Sequence, residues 1–447
     1  MISKEIIKVF RLALPITISQ LGQISVAVAD TIMIGHAGTL QLASATFATS
    51  LFVPVMMFGI GVSNGATPLI AHAHGESDQP KIKSLFFHNL ILQSVLGIVL
   101  FLVLLGLSMF FDSMDQPKEV VSLSRNFYYI ISFSLLPVMV FMALSKFAEG
   151  LGHTRASLII TIGANLINVL FNYLLIFGNG GFPALGLDGA AYATLLSRLL
   201  MPLTMGAFIY FHPAYKAYVR RFSWSLLEQK IITFIVRKSF PVGFQMSLET
   251  AAFSFAMIMV GWLGTKEIAA HQIALNLASV TFMGATGISA AAAVRVGFEM
   301  GRKDIQQIKK AGYAAFSLVS IYMLLCALGF TVFSNSLPLL YISDPMITKL
   351  SSQLLLIAAF FQIFDGLQTV GLGALRGLGD VTVPTAISML SYWVIGLPFA
   401  YLVGISGGQG VEGVWYGLTL GLMCASFFLV TRFILRVQSL KATELVQ

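Results

Sequence analysis

Charge is what this sequence has least of. Asp, Glu, Lys and Arg make up 10% of its 447 residues, against 57% hydrophobic residues; soluble domains carry about a quarter charged residues. That deficit excludes an ordinary soluble domain. Cysteine is nearly absent as well. Cys326 and Cys424 are the only two, and both fall in apolar runs, which excludes a disulfide framework or a cysteine-rich metal cluster. They read as small packing residues. The N-terminal MISKEIIKVFRLALP lacks a small-residue cleavage pattern, and its apolar run continues into the first long hydrophobic stretch, so a cleavable signal is not expected.

What is plentiful is apolar sequence in runs of about 20 residues, the length that crosses a bilayer. Twelve occur, near 10–34, 42–70, 85–110, 124–145, 157–178, 190–211, 239–262, 268–294, 312–333, 350–371, 384–404 and 413–434. The expected fold is an all-α integral membrane protein of twelve transmembrane helices. The net charge of +8 follows from topology: 22 of the 27 Lys and Arg residues lie on the side that holds both termini, among them Lys216, Arg220, Arg221, Lys230, Arg237 and Lys238. The other side holds four, Lys118, Arg125, Lys266 and Lys349. This positive-inside bias places both termini in the cytoplasm and the chain in the cell (inner) membrane. It excludes nucleic acid as the reason for the basic balance.

The sequence also repeats itself. A shift of 226 residues superposes Pro15 on Pro241, Gly35 on Gly261, Gly38 on Gly264, Gly61 on Gly287, Ser63 on Ser289, Gly75 on Gly301 and Asp78 on Asp304. Six spans per half return the chain to its starting side, so the halves are parallel repeats. The expected organisation is a six-helix lobe over 1–211, a cytoplasmic linker over 212–238 and a second six-helix lobe over 239–447, flanking a central cavity. Two such bundles are a frequent transporter plan, because one can rock against the other.

Charges inside the spans mark where function would sit, since each is costly there unless it faces a cavity or a partner. Three of the nineteen acidic residues are deep, Asp30, Glu249 and Asp365, and one basic residue, Arg198, joins them. Glu249 is eleven residues from Lys238 and Asp365 is eleven from Arg376, which puts both about 16 Å above the inner surface. Two carboxylates in one low-dielectric place do not readily ionise together, so a proton or Na⁺ held at Glu249 and Asp365 is the expected chemistry. No basic partner is expected at their depth. In the first lobe, Asn165, Asn168 and Asn172 share a helix face, as do Thr194 and Arg198. A polar layer of Asp30, Asn168, Asn172, Thr194 and Arg198 is expected, either as a cation or proton site or as a structural Asp30–Arg198 pair. The repeat sets Gln23 opposite Glu249 and Val138 opposite Asp365, so packing alone does not require the second-lobe carboxylates.

Other signals carry less. The GxSxG patterns at 61–65 and 404–408 lie in a span and an outer loop, not in the strand-turn-helix setting of a nucleophile elbow. His72 and His74 stand at i, i+2 and do not share a helix face. His271 is expected to be a hydrogen-bonded packing residue. An enzyme is therefore not expected, although an intramembrane enzyme using the two carboxylates stands as a distant alternative.

The stretches LALPITISQLGQISVAVADTIMIGHAGTLQLA, FPVGFQMSLETAAF, EIAAHQIALN, LGALRGLGD and GLDGAAYAT together resemble the MATE (multidrug and toxic compound extrusion) transporters. The resemblance covers all twelve spans, and the carboxylates on spans 7 and 10 look most like the NorM-type branch. It implies a monomer in the bilayer that exports amphipathic, often cationic compounds in exchange for Na⁺ or H⁺, with no other cofactor. By motif, Glu249 and Asp365 match a second-lobe cation site, and Asp30, Asn168, Asn172 and Thr194 match a first-lobe one. Two departures stand out: Asn172 replaces an Asp of many relatives, and Phe361 replaces a Tyr of some NorM-like proteins. Pro15 and Pro241 look like bend-permitting prolines, with Pro241 also readable as a helix-start residue. A lipid-linked precursor flippase of the same architecture is the alternative within transport, and its pyrophosphate would call for a more cationic centre than Arg198 alone.

Overall fold

A computed structural model of the chain describes residues 2–114, 116–219 and 228–444. All regular structure among them is helical. Twelve helical segments of 23 to 37 residues are long and apolar enough to span a membrane, as a medium without water requires of a backbone that must satisfy its own polar groups. In chain order they begin with α1 (Ile2–Ala37), α2 (Thr39–Gly75) and α3 (Gln79–Ser108). The fourth span is α4 (Lys118–Phe133) plus α5 (Leu135–Gly150), which meet at Ser134. Pro137 explains that break, because it has no N–H for the carbonyl of Phe133 and its ring crowds that oxygen. Next come α6 (Arg155–Phe177), α7 (Leu187–Phe211) and the short α8 (Lys216–Val219). The second half holds α9 (Gln229–Gly261), α10 (Thr265–Gly301), α11 (Ile305–Val332), α12 (Pro345–Gly377), α13 (Thr382–Met389), α14 (Leu397–Ala400) and α15 (Gly410–Glu444). Wide π-helical turns at Leu390–Gly396 and Tyr401–Ser406 join α13 and α14 into one span; Pro398 cannot donate to Val394, within the first of them.

Residues 229–238, expected in the linker, are the opening turns of α9. Lys230, Arg237 and Lys238 ended the apolar run in sequence without ending the helix. Pro241 consequently lies inside α9 rather than at its start, as Pro15 lies inside α1. Arg220 and Arg221 lie outside the described residues.

The repeat survives as conformation. Helices α2 and α10 have ends that differ by 226 at both termini. Gly38 and Gly264 both take φ near +150°, at 149° and 145°, a region closed to side-chain-bearing residues. Ser77 and Lys303, again 226 apart, both adopt φ of 58°. Asp78 and Asp304 then cap α3 and α11 by accepting from the N–H of Lys81 and Gln307.

Packing divides the chain into two units, Ile18–Gly243 and a second that combines Met1–Thr17 with Phe244–Gln447. The crossover points, 17 and 243, are themselves 226 apart. Each unit is thus completed by the leading half-helix of the opposite repeat. In the first unit, Ile235 of α9 is buried in the core with Phe147 and Tyr215. There α2 approaches α9 so closely that a Cβ on Gly61 would fall 2.7 Å from the Cα of Gly243. In the second unit, Val9 and Ala13 of α1 are buried with Ala285, Ile288 and Ala292, and a Cβ on Gly287 would fall 3.0 Å from the carbonyl oxygen of Ala13. Arg295 of α10 ties that half-helix down by an ion pair to Glu5 at 3.0 Å.

These two crossings should be intolerant of added bulk. Gly61→Val and Gly287→Val are each expected to destabilise the protein by about 1–3 kcal/mol, the usual range for overpacking. Gly163→Ala, at a helical glycine with open space around it, should be neutral or stabilising by up to about 1 kcal/mol. Recovery of folded protein from detergent after graded heating measures all three.

Candidate functional site

The acidic pair lies wholly within the second unit, on α9 and α12. Glu249 is partly buried and Asp365 is buried. The Glu249 carboxylate is held by side chains from three elements. Gln245, one turn back on α9, donates to Oε2 at 2.9 Å. Gln368 of α12 donates to Oε1 at 2.9 Å. The single proton of the Tyr392 hydroxyl is shared between the Gln368 carbonyl oxygen at 2.8 Å and Glu249 Oε1 at 3.3 Å. Tyr392 sits in the first π-turn, and its neighbour Trp393 donates from Nε1 to the backbone carbonyl of Leu248 at 3.2 Å. A π-turn spreads consecutive residues over a wider circle than an α-turn, which lets two adjacent aromatic residues both reach α9.

Asp365 is solvated differently. Its carboxylate has no hydrogen-bond donor among the described residues, yet it is near enough to Glu249 for the two charges to act on one another. Gln368, which stands on the same face of α12 at i+3, points its amide to Glu249 instead. One carboxylate is therefore surrounded by donors and the other is left without them.

The expectation that the pair has no basic partner is corrected here. Arg376, eleven residues beyond Asp365, lies inside α12 and donates from Nη2 to Oε1 of Gln245 at 2.6 Å. Its long side chain reaches back along the helix, so its charge is felt at Glu249 through one intervening amide. Distance along the sequence speaks to its Cα and not to its head group.

Phe361, where some NorM-like proteins carry a Tyr, is buried against Phe253 and Trp415 at ring-centroid distances of 6.4 and 5.6 Å. The phenol that reaches Glu249 comes from Tyr392, on a different span. Gln245 and Gln368 were detectable from their i−4 and i+3 spacing to the two acids. Tyr392 and Trp393 were not, because their approach depends on a π-turn with no period to read. His271 is fully buried and accepts a hydrogen bond from Trp415 Nε1 at 2.9 Å.

The first-unit layer forms a chain of side chains. Asn172 of α6 donates to Asp30 Oδ1 of α1 at 2.5 Å and lies 3.1 Å from Asn168 Oδ1. Asn168 reaches Thr194 of α7 at 3.4 Å. Arg198 does not join the chain by contact: among the described residues no ion pair links it to Asp30, although each feels the other's charge. Its guanidinium donates to Ser134 Oγ at 2.7 Å, at the break between α4 and α5, and lies over the Phe52 ring 5.3 Å from the centroid. No three His, Cys, Asp or Glu side chains converge as a metal centre among the described residues.

Comparison with known proteins agrees with this architecture. Residues 15–174 and 241–402 each match the MatE family model, and the two matches begin 226 residues apart, the shift of the internal repeat. The chain is 33% identical over 441 residues to the probable multidrug resistance protein NorM of Pseudomonas putida, spanning 98% of this chain and 96% of that protein. It is 28% identical over 435 residues to the multidrug resistance protein NorM of Aliivibrio fischeri, spanning 96% and 95%. The fold superposes on the eukaryotic MATE transporter AtDTX14 with a TM-score of 0.89 over 99% of each chain, at 20% identity. An outward-facing multidrug resistance MATE family transporter gives 0.88 over 98% and 97%, at 21% identity. With the family model matched in both halves and the NorM relatives aligned end to end, this chain belongs to the MatE family, in its NorM-like branch.

Proposed function

We propose that the chain is a cation-coupled antiporter of the cell membrane, with both termini in the cytoplasm, that exports amphipathic and often cationic compounds by alternating access. The observation that carries this reading is the unequal solvation of Glu249 and Asp365. Glu249 has two amide donors on its oxygens and a share of the Tyr392 hydroxyl proton, enough to hold a carboxylate inside a low-dielectric unit. Asp365 has none, and a second negative charge beside the first is unfavourable until something positive arrives. A proton on Asp365 or a Na⁺ between the two acids would relieve it. Na⁺ is a hard cation that takes oxygen ligands, and the amide and phenol oxygens of Gln368 and Tyr392 stand beside the carboxylates to complete such a set. The coupling ion would be cargo, with no resident cofactor required.

In this reading, ion entry and substrate release are linked. If ion binding at the pair weakens substrate binding, substrate must weaken ion binding by the same factor. The first-unit chain of Asp30, Asn172, Asn168 and Thr194 serves as a polar network with a single carboxylate, and Arg198 holds the α4–α5 break at Ser134. Pro15, inside α1 and two residues from the crossover at Thr17, acts as the hinge.

Efflux from proteoliposomes under separately imposed Na⁺ and proton gradients tests the proposal. Glu249→Gln and Asp365→Asn should each abolish ion-driven efflux while leaving folded protein; unchanged ion dependence in both would overturn it. Tyr392→Phe removes one neutral hydrogen bond, about 1 kcal/mol, and should raise the half-saturating ion concentration about fivefold. Asn172→Ala should affect ion dependence less than either carboxylate change, since Asp365 and Glu249 are untouched by it.

A further inference from the structure

A second group of buried polar side chains lies in the first unit, away from the Asp30 layer, where α2, α3 and α5 pack together. Ser63 and Thr67 of α2 and Asn89 and Gln93 of α3 are all at least nine-tenths buried. The hydroxyls of Ser63 and Thr67, Oδ1 of Asn89 and both amide atoms of Gln93 have no hydrogen-bonding partner among the described residues. On the same helix, Ser44, Thr46 and Thr49 close their hydroxyls onto carbonyls of their own backbone. Ser63 and Thr67 do not, and their buried hydroxyls stand without a partner among the described residues.

Helix register brings these groups to one place. Gly59 of α2 abuts Met139 of α5 and Leu100 of α3, and Gly97 of α3 abuts the same Met139. That contact fixes which faces meet. Further along, Phe86 packs on Phe147 at 4.4 Å, and Gly150 lies against Ile70 and the Thr67 carbonyl. All three helices therefore run together towards the turn between α2 and α3. One turn in that direction from Gly59, Gly97 and Met139 stand Ser63, Gln93 and Ala143, at i+4, i−4 and i+4. Register therefore sets two polar positions, 63 and 93, level with Ala143. Thr67 and Asn89 follow one turn later.

We propose that this three-helix junction is a binding site for ordered water, buried within the first unit. The chemistry of the unmatched atoms selects the ligand. They include an N–H donor, Gln93 Nε2, and acceptors, Gln93 Oε1 and Asn89 Oδ1. Water both donates and accepts, and buried polar groups without protein partners are where internal water sits. A cation would leave Gln93 Nε2 unmatched, and the nearby charges of Lys146 and Glu149 already satisfy one another at 2.8 Å. An anion would leave the two carbonyl oxygens unmatched.

X-ray radiolytic hydroxyl labelling of the purified protein tests this, because bound water generates radicals in place and marks side chains that bulk solvent does not reach. Met139, fully buried beside the junction, should be oxidised several-fold faster than Met205 and Met323, which are as deeply buried elsewhere. Gln93→Leu should bring Met139 down to the rate of those controls; Ser63→Ala, a smaller change, should lower it in part and serves if the first variant does not fold. Met139 labelled no faster than Met205 and Met323 would overturn the site. So would a Met139 rate that falls when Na⁺ replaces choline in the buffer, which would give the junction to a cation.

Discussion

Hydrocarbon offers no hydrogen bonds, so every polar atom in this protein that enters the bilayer must be answered by the protein itself or by something the protein holds. That constraint selects helices for the backbone. It turns many of the hydroxyls back onto their own helices, as Ser25, Thr31, Thr204 and Thr250 do. It also gives the charged groups their surroundings: Glu249 among amides and a phenol, and Arg198 on the hydroxyl at a helix break and over an aromatic ring. Where the requirement is left unmet, at Asp365 and at the α2–α3–α5 junction, a small ligand becomes the natural completion.

The two repeats keep what concerns backbone contact and diverge in what concerns charge. Turns, caps and left-handed residues recur at a spacing of 226, and so do the glycine crossings at 61 and 287. The charges inside the spans do not. Gln23 stands opposite Glu249, Val138 opposite Asp365, and Leu69 opposite the Arg295 that anchors α1. A duplicated scaffold has thus been held to one shape by close packing, where a single added methyl group would collide. Its polar positions, which touch side chains rather than backbone, have been free to differ.

Much of this was legible in the linear sequence, and the illegible part has a common cause. Spans, repeat and deep charges are properties of single segments, so composition and period expose them. Asn168 and Asn172 share a face because they share a helix. The shell around Glu249 draws on three elements whose mutual register is fixed by packing, and a π-turn that no periodicity announces supplies Tyr392. Arg376 misled for a related reason: a long, flexible side chain carries its charge a full turn or more from its Cα. The start of α9 was hidden because a helix that continues into water stops looking apolar before it stops being helical.

The exchange of half-helices at Thr17 and Gly243 has a consequence for how the protein can be made. The first unit contains its closing segment only after residue 243 has been synthesised, beyond its own six spans and beyond the linker. The second unit, by contrast, uses residues that precede the first unit in the chain. Neither half of the gene encodes a self-sufficient body, although each half encodes a complete set of spans. The spans up to residue 211 lack their closing segment until residues 229–243 of the next repeat are added, and residues 4–17 find their packing partners in the last half of the chain.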